Sequence, residues 1–249
     1  MGSDGGVKLS AVDFGSPEGA SLFFLHGGAG HLLQWHHQLS YFSEWNRVTA
    51  VDLRGHGKSS CPDSLYSFEE SLGDLTACIE AMNLPERFYL ISHSYGGALA
   101  AAYAVRHRHR LDGLVLMSTA GDIPLRYSIR CLLKMPAPLL GCIQRVVHNA
   151  VSTPPAVLKK LVPVLVSWRG WDLYSQIEVP TLVVSGELDL LTRPDAMRRM
   201  AALIGNSQLE TIRFAGHLPQ LERPRRVNQI LERFLRPQVR SSWRGALSD

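Results

Sequence analysis

Phe88-Tyr89-Leu90-Ile91-Ser92-His93-Ser94-Tyr95-Gly96-Gly97 is the stretch on which the reading of this chain turns. An apolar run stops at a cluster of small residues around one serine, and an alanine-rich helical segment, Gly97–Val105, follows. Strand, sharp turn and helix in that order lift a serine hydroxyl above the end of a sheet and aim it at a helix N-terminus. The flanking residues have to be small because strand and helix approach closely there. The usual spacing is G-x-S-x-G, and here Ser92 stands in the first glycine's place. Serine is still small, so the turn is expected to survive with slightly tighter packing.

Outward from this turn, short β-rich runs alternate with helical patterns, which predicts an α/β fold with a mostly parallel sheet. Leu22–Leu25 ends at His26-Gly27-Gly28, Val48–Leu53 at Arg54-Gly55-His56-Gly57, and Leu114–Met117 near Ser118. Thr181–Val184 ends at Ser185-Gly186-Glu187 and Gln208–Phe214 at Ala215-Gly216-His217. Continuous apolar runs suit strands buried on both faces. Between them, Ser67–Met82 places Phe68, Leu72, Leu75 and Ile79 at helical spacing, and Pro224 opens a last helix with Val227, Ile230, Leu231 and Phe234 as its core face. Asp122 to Asp172 holds six prolines and no clear strand, and reads as a short helical cap inserted between two sheet strands. The expected division is a core of residues 1–121 and 173–240, a cap of 122–172, and a disordered tail of 241–249, with fraying from Pro237 onward.

Composition narrows the classes. The chain has 249 residues, of which 45% are hydrophobic and 19% charged, ordinary values for a globular protein able to bury a large core without disulfides or metals. Cys61, Cys78, Cys131 and Cys142 form no C-x-x-C pair, which suggests reduced thiols in an intracellular, cytoplasmic protein. Met1 to Gly6 has no charged-then-apolar leader pattern, and no stretch is long and apolar enough for a membrane span. The net charge is +4. It gathers between Gly121 and Ser175, where Arg126, Arg130, Lys134, Arg145, Lys159, Lys160 and Arg169 outnumber Asp122 and Asp172, so a protein-wide nucleic-acid surface is excluded.

A serine hydroxyl becomes a useful nucleophile only when a base takes its proton. Of ten histidines, His217 lies in a loop straight after the last predicted strand. Its imidazole needs a carboxylate to fix its tautomer, and Asp189 follows the preceding strand in Gly186-Glu187-Leu188-Asp189. Both sit at C-terminal strand ends, the edge where open α/β sheets carry their sites. Asp122, after another predicted strand, stays open as an alternative acid.

With these landmarks in the order Ser, Asp, His, the chain resembles the α/β-hydrolase superfamily, in particular its small serine hydrolases with a short lid, from about Val7 to Leu235. His26-Gly27-Gly28, Asp52-Leu53-Arg54-Gly55-His56-Gly57-Lys58-Ser59, the serine turn, and the Asp189 and His217 loops carry the resemblance. It implies a triad of Ser94, Asp189 and His217 and an oxyanion hole made by the Tyr95 and Gly28 amides, with Ala29 as fallback for the second. It implies no cofactor and no metal. Dehalogenases and epoxide hydrolases of this fold use an aspartate nucleophile, which Ser94 argues against. His26, Gly27 and the cap residues Leu132, Met135, Leu139 and Ile143 are expected to contact the substrate.

Other signals are discounted. Gly55-His56-Gly57-Lys58-Ser59 ends like a phosphate loop, but Asp52 occupies the required first glycine. His36 and His37 are adjacent and expected to point apart, and no metal-spaced cluster appears. His93 reads as structural, His107 and His109 as solvated, and Asp52 and Arg54 as organisers of their loop. The expected reaction is carboxylic ester hydrolysis of a small ester or acyl substrate through an acyl-serine. Two alternatives stay open: carbon–carbon hydrolysis or lyase chemistry on an anionic small molecule, and a weakly catalytic ligand receptor or scaffold. The basic cap reads as a solvated face, a cationic pocket, or a weak contact with anionic lipid surfaces.

Overall fold

In the computed structural model, which describes residues 7–122 and 153–243 (side chains as far as Leu235), seven strands form one sheet. Its elements in chain order are β1 (Ala11–Gly15), β2 (Ser21–Leu25), α1 (His36–Phe42), β3 (Arg47–Val51), α2 (Phe68–Ala81), β4 (Phe88–His93), α3 (Tyr95–Arg106) and β5 (Leu111–Met117). They continue with α4 (Pro155–Ser167), α5 (Trp171–Tyr174), β6 (Thr181–Gly186), α6 (Pro194–Leu203), β7 (Ser207–Ile212), α7 (Pro219–Glu222) and α8 (Pro224–Trp243). The strand order is β1-β3-β2-β4-β5-β6-β7, parallel throughout except for β1, which runs antiparallel on β3.

Alternation along the strands sets the two layers. Phe23, Leu25, Leu90, Leu114, Leu116 and Val183 face α2, α3 and α6. Their neighbours Leu22, Phe24, Ile91, Val115, Met117 and Val184 face α1 and α8. Both faces are covered, so the central strands are buried along almost their whole length and mainly apolar, as the runs in the sequence suggest. The helix α3 packs nearest the sheet, and every residue from Tyr95 to Ala104 is buried.

The structure departs from the sequence reading mainly at the edges. The strand β1 was not expected: it is a largely exposed edge strand with no apolar run. The helix α3 begins at Tyr95, two residues before the predicted start, because Gly96 and Gly97 lie in its first turn rather than ahead of it. The helix α8 continues past Pro237 to Trp243, where fraying was expected. Its core face includes Val227, Ile230 and Leu231, while Phe234 is only half-buried and Leu235 takes the deeper place.

The described part of the insertion between β5 and β6 is helical. Pro155 opens α4 at the position where a missing N–H costs nothing. Trp168 Nε1 donates to the Ala120 carbonyl at 3.0 Å, and its ring stacks on Phe68 with centroids 4.5 Å apart. The Arg199 guanidinium lies 4.0 Å over the Trp171 ring. Among the described residues no helix is long and apolar enough to cross a membrane.

The helix α2 starts with a capping box. Glu70 N–H donates to Ser67 Oγ at 3.2 Å, and Ser67 N–H donates to Glu70 Oε2 at 2.7 Å. Ser67→Ala is therefore expected to lower unfolding stability by about 1 kcal/mol in denaturant titrations, with the m-value unchanged.

Candidate active site

Ser94 sits between β4 and α3 with φ 51° and ψ −119°, a conformation uncommon for a residue with a Cβ. Three hydrogen bonds hold it there. Ser94 N–H donates to the Met117 carbonyl at 2.9 Å, and its own carbonyl accepts from Gly97 N–H at 2.8 Å and Ala98 N–H at 3.2 Å. Ser92 explains how the first glycine of the usual pattern can be replaced: its hydroxyl turns sideways and donates to the Val115 carbonyl of β5 at 2.6 Å. The added polar atom is thus satisfied inside the sheet.

Ser94, Asp189 and His217 come together from three loops at the C-terminal sheet edge. Asp189 is buried, and its Oδ1 accepts from Leu191 N–H at 2.8 Å and Thr192 N–H at 3.0 Å. Its Oδ2 accepts from Thr192 Oγ1 at 2.6 Å and from His217 Nδ1 at 2.9 Å. Burial raises the Asp189 carboxyl, but the hydrogen bonds from His217 and Thr192 outweigh it and hold it at about 2. An ionised carboxylate only accepts, so the imidazole proton lies on Nδ1. Nε2 is then left to accept from the Ser94 hydroxyl, 3.1 Å away. Asp122 makes no such bond to His217 among the described residues; its charge acts on the buried Tyr174 hydroxyl instead.

The glycine loop after β2 lies against this group. A Cβ at Gly28 would stand 3.2 Å from the Tyr95 Cβ, so the two expected oxyanion donors are neighbours. Tyr95 opens α3, where helix geometry leaves the amide unpaired. No described residue accepts the Gly28 or Ala29 N–H.

His26 does not touch this space. It is fully buried, Leu53 N–H donates to its Nε2 at 3.0 Å, and its Nδ1–H donates to the Gly27 carbonyl at 2.7 Å. That carbonyl shares a planar peptide with Gly28 N–H, so the bond aims the amide. The sequence reading placed His26 in contact with substrate; the structure places it behind the loop, because both ring nitrogens are taken by backbone. Gly27 is buried as well, packed on His93 and Ser94. His56 Nε2 lies 3.2 Å from the Gly28 carbonyl on the other side.

The expected cap residues Leu132, Met135, Leu139 and Ile143 lie outside the described residues, as do Arg126, Arg130, Lys134 and Arg145. From the described cap, Leu161 and Leu165 reach the site instead, their methyls 3.3 and 3.5 Å from a Cβ position on Gly28. Both were missed, although Val157, Leu158, Leu161, Val164 and Leu165 follow Pro155 at helical spacing. Thr192 was missed too; its signal is a threonine three residues after an aspartate, where local side-chain-to-backbone bonds form. Asp52 and Arg54 do organise their loop. Asp52 accepts from Leu32 and Lys58 N–H, and Arg54 pairs with Glu70 and Asp74. The His36 and His37 rings, expected to point apart, meet with centroids 3.8 Å apart at the first turn of α1, where His36 Nδ1 turns to the Leu33 carbonyl. His107 is not simply solvated, for it stacks on Tyr103.

Known proteins resemble this chain in sequence and fold. A family model described as alpha/beta hydrolase fold matches residues 20–140 and 160–224. The mouse protein ABHD8 is 28% identical over 86% of the chain and 54% of its own length, so the chain spans about half of that relative. Epoxide hydrolase 3 of Xenopus tropicalis is 28% identical over 94% of the chain and 76% of its own length. Among solved structures, a thermophilic esterase from Thermogutta terrifontis superposes with a TM-score of 0.81 at 25% identity, covering 95% of this chain and 96% of that one.

The depressed Asp189 carboxyl has a consequence for stability. Its stabilising contribution is present above the ordinary carboxylate range near pH 4 and is lost as pH falls toward 2, since the unfolded chain takes up the proton first. Asp189→Asn is expected to remove on the order of 2 kcal/mol of this acid-dependent term, flattening the stability profile between roughly pH 4 and pH 2 in denaturant titrations.

Proposed function

The chain belongs to the alpha/beta-hydrolase family, and from that premise we propose that it is a serine hydrolase that cleaves a carboxylic ester through an acyl-serine intermediate. The observation that carries this is the continuous hydrogen-bonded line from Asp189 through His217 to the Ser94 hydroxyl, with spacings of 2.9 and 3.1 Å.

His217 Nε2 takes the Ser94 proton as Oγ attacks the acyl carbon. The Asp189 carboxylate stays ionised and steadies the imidazolium. Charge that develops on the carbonyl oxygen is received by the Tyr95 and Gly28 amides, with Ala29 as the alternative loop donor. The bond to the alcohol then breaks, and that alcohol leaves with the proton from His217. Water, activated by the same imidazole, attacks the acyl carbon and frees Ser94.

The site also bears on the substrate. Leu161 and Leu165 put an apolar wall beside the oxyanion loop, which favours an uncharged, apolar acyl group over a carboxylated one. The similarity to the Thermogutta esterase supports an ester substrate. The likeness to an epoxide hydrolase is less informative here, because the residue at the turn is a hydroxyl suited to acyl transfer. The free thiols of Cys61 and Cys78 favour a reducing, cytoplasmic compartment.

Turnover of short- and medium-chain p-nitrophenyl esters tests the proposal. Ser94→Ala and Asp189→Asn are each expected to lower kcat by about 10⁴-fold or more with folding intact. Wild-type protein inert on every ester, or a Ser94→Ala variant as active as wild type, would contradict it.

A further inference from the structure

His93, read from the sequence as structural, touches the site through its catalytic base. It is buried, one residue before Ser94, and its Nε2–H donates to the main-chain carbonyl of His217 at 2.7 Å. The two residues are 124 positions apart, and their ring centroids stand 4.9 Å from each other. His217 is therefore held to the serine turn at two points, by its side chain on Ser94 and by its backbone on His93.

The His217 loop has a second set of tethers. The Glu222 carboxylate accepts from Gly216 N–H at 2.5 Å and from Leu218 N–H at 2.9 Å, one residue on either side of the histidine. Those bonds fix the shape of the loop relative to α7. They do not fix its distance from the nucleophile, because Glu222 is part of the same chain segment. The His93 bond spans that gap. The other side of the His93 ring is closed by the glycine loop, where a Cβ at Gly27 would lie 2.7 Å from Nδ1. The ring is thus wedged between the oxyanion loop and the catalytic loop.

We infer that His93 is a positioning residue for the proposed reaction, setting His217 against Ser94 through the His217 carbonyl. The inference rests on the serine-hydrolase reading given above. Burial, with the facing His217, holds the His93 imidazole down at about 3, so the ring stays neutral and keeps donating across the range in which a hydrolase works. A permanent cation there would repel the imidazolium that forms on His217.

The experiment compares wild type, His93→Phe and His93→Gln in p-nitrophenyl ester hydrolysis, with thermal melting of each protein. Phenylalanine keeps the ring's shape and loses the donor; glutamine keeps a donor that can reach the same carbonyl. The expected result is a kcat at least about tenfold lower for His93→Phe with KM within about twofold, because a small misplacement of a catalytic group is expensive in rate. His93→Gln is expected to recover most of kcat. A merely structural role would lower both variants together or change only the melting temperature. Should His93→Phe fail to fold, His93→Met against His93→Gln makes the same comparison. Active wild type with His93→Phe at wild-type kcat, or with His93→Gln as slow as His93→Phe, overturns this inference alone. Wild type that hydrolyses no ester overturns the hydrolase reading and this inference with it.

Discussion

The left-handed backbone at Ser94 is the constraint on which the rest of the site depends. A non-glycine residue at φ 51° costs of order 1 kcal/mol or more, and persists only where its surroundings over-determine it. Here they do. The strand β4 arrives paired on both sides, α3 leaves packed tightly against the sheet, and the Met117 carbonyl takes the serine amide. The result is a hydroxyl thrust out of the sheet and the Tyr95 amide left unspent beside it.

Around that turn, three buried histidines face backbone carbonyls. His26 holds the Gly27 carbonyl, His56 lies at the Gly28 carbonyl, and His93 holds the His217 carbonyl. Burial pushes all three imidazoles below their ordinary range. Neutral rings make directional struts between loops without adding charge near the base. The carboxylate of Asp189 is the one ionised member of the line to Ser94, and Thr192 supplies it with two further bonds that keep it so. Pre-set dipoles and one fixed charge are what acyl-transfer chemistry asks of a site.

The central strands were readable because burial on both faces forces long apolar runs, and Ser94 and Asp189 could be placed at one sheet edge because each follows such a run; His217 follows β7, a polar and largely exposed edge strand, and was placed by its loop alone. The edges were not readable in that way. The strand β1 is joined to β3 through backbone and through Asp13, whose carboxylate takes Arg47 and Thr49; Val12 packs on the core while Phe14 is exposed, so the strand is too short and too exposed to stand out as an apolar run. The strand β7 was expected to run on through Phe214, but it ends at Ile212, and Phe214 turns out into solvent at φ 56°. At the site, His26 was identified as part of the loop but aimed at the substrate, because a motif carries no information on where a ring nitrogen points. Leu161 and Leu165 were passed over for a similar reason: helical spacing marks them as buried without saying against what.

The most direct measurement is intact-mass and peptide mapping of the wild-type protein after brief exposure to a fluorophosphonate, which reacts with an activated serine beside an oxyanion hole. The account predicts one phosphonyl group per chain, carried by Ser94. Unmodified protein, or a modification shared among other serines with Ser94 untouched, would contradict it.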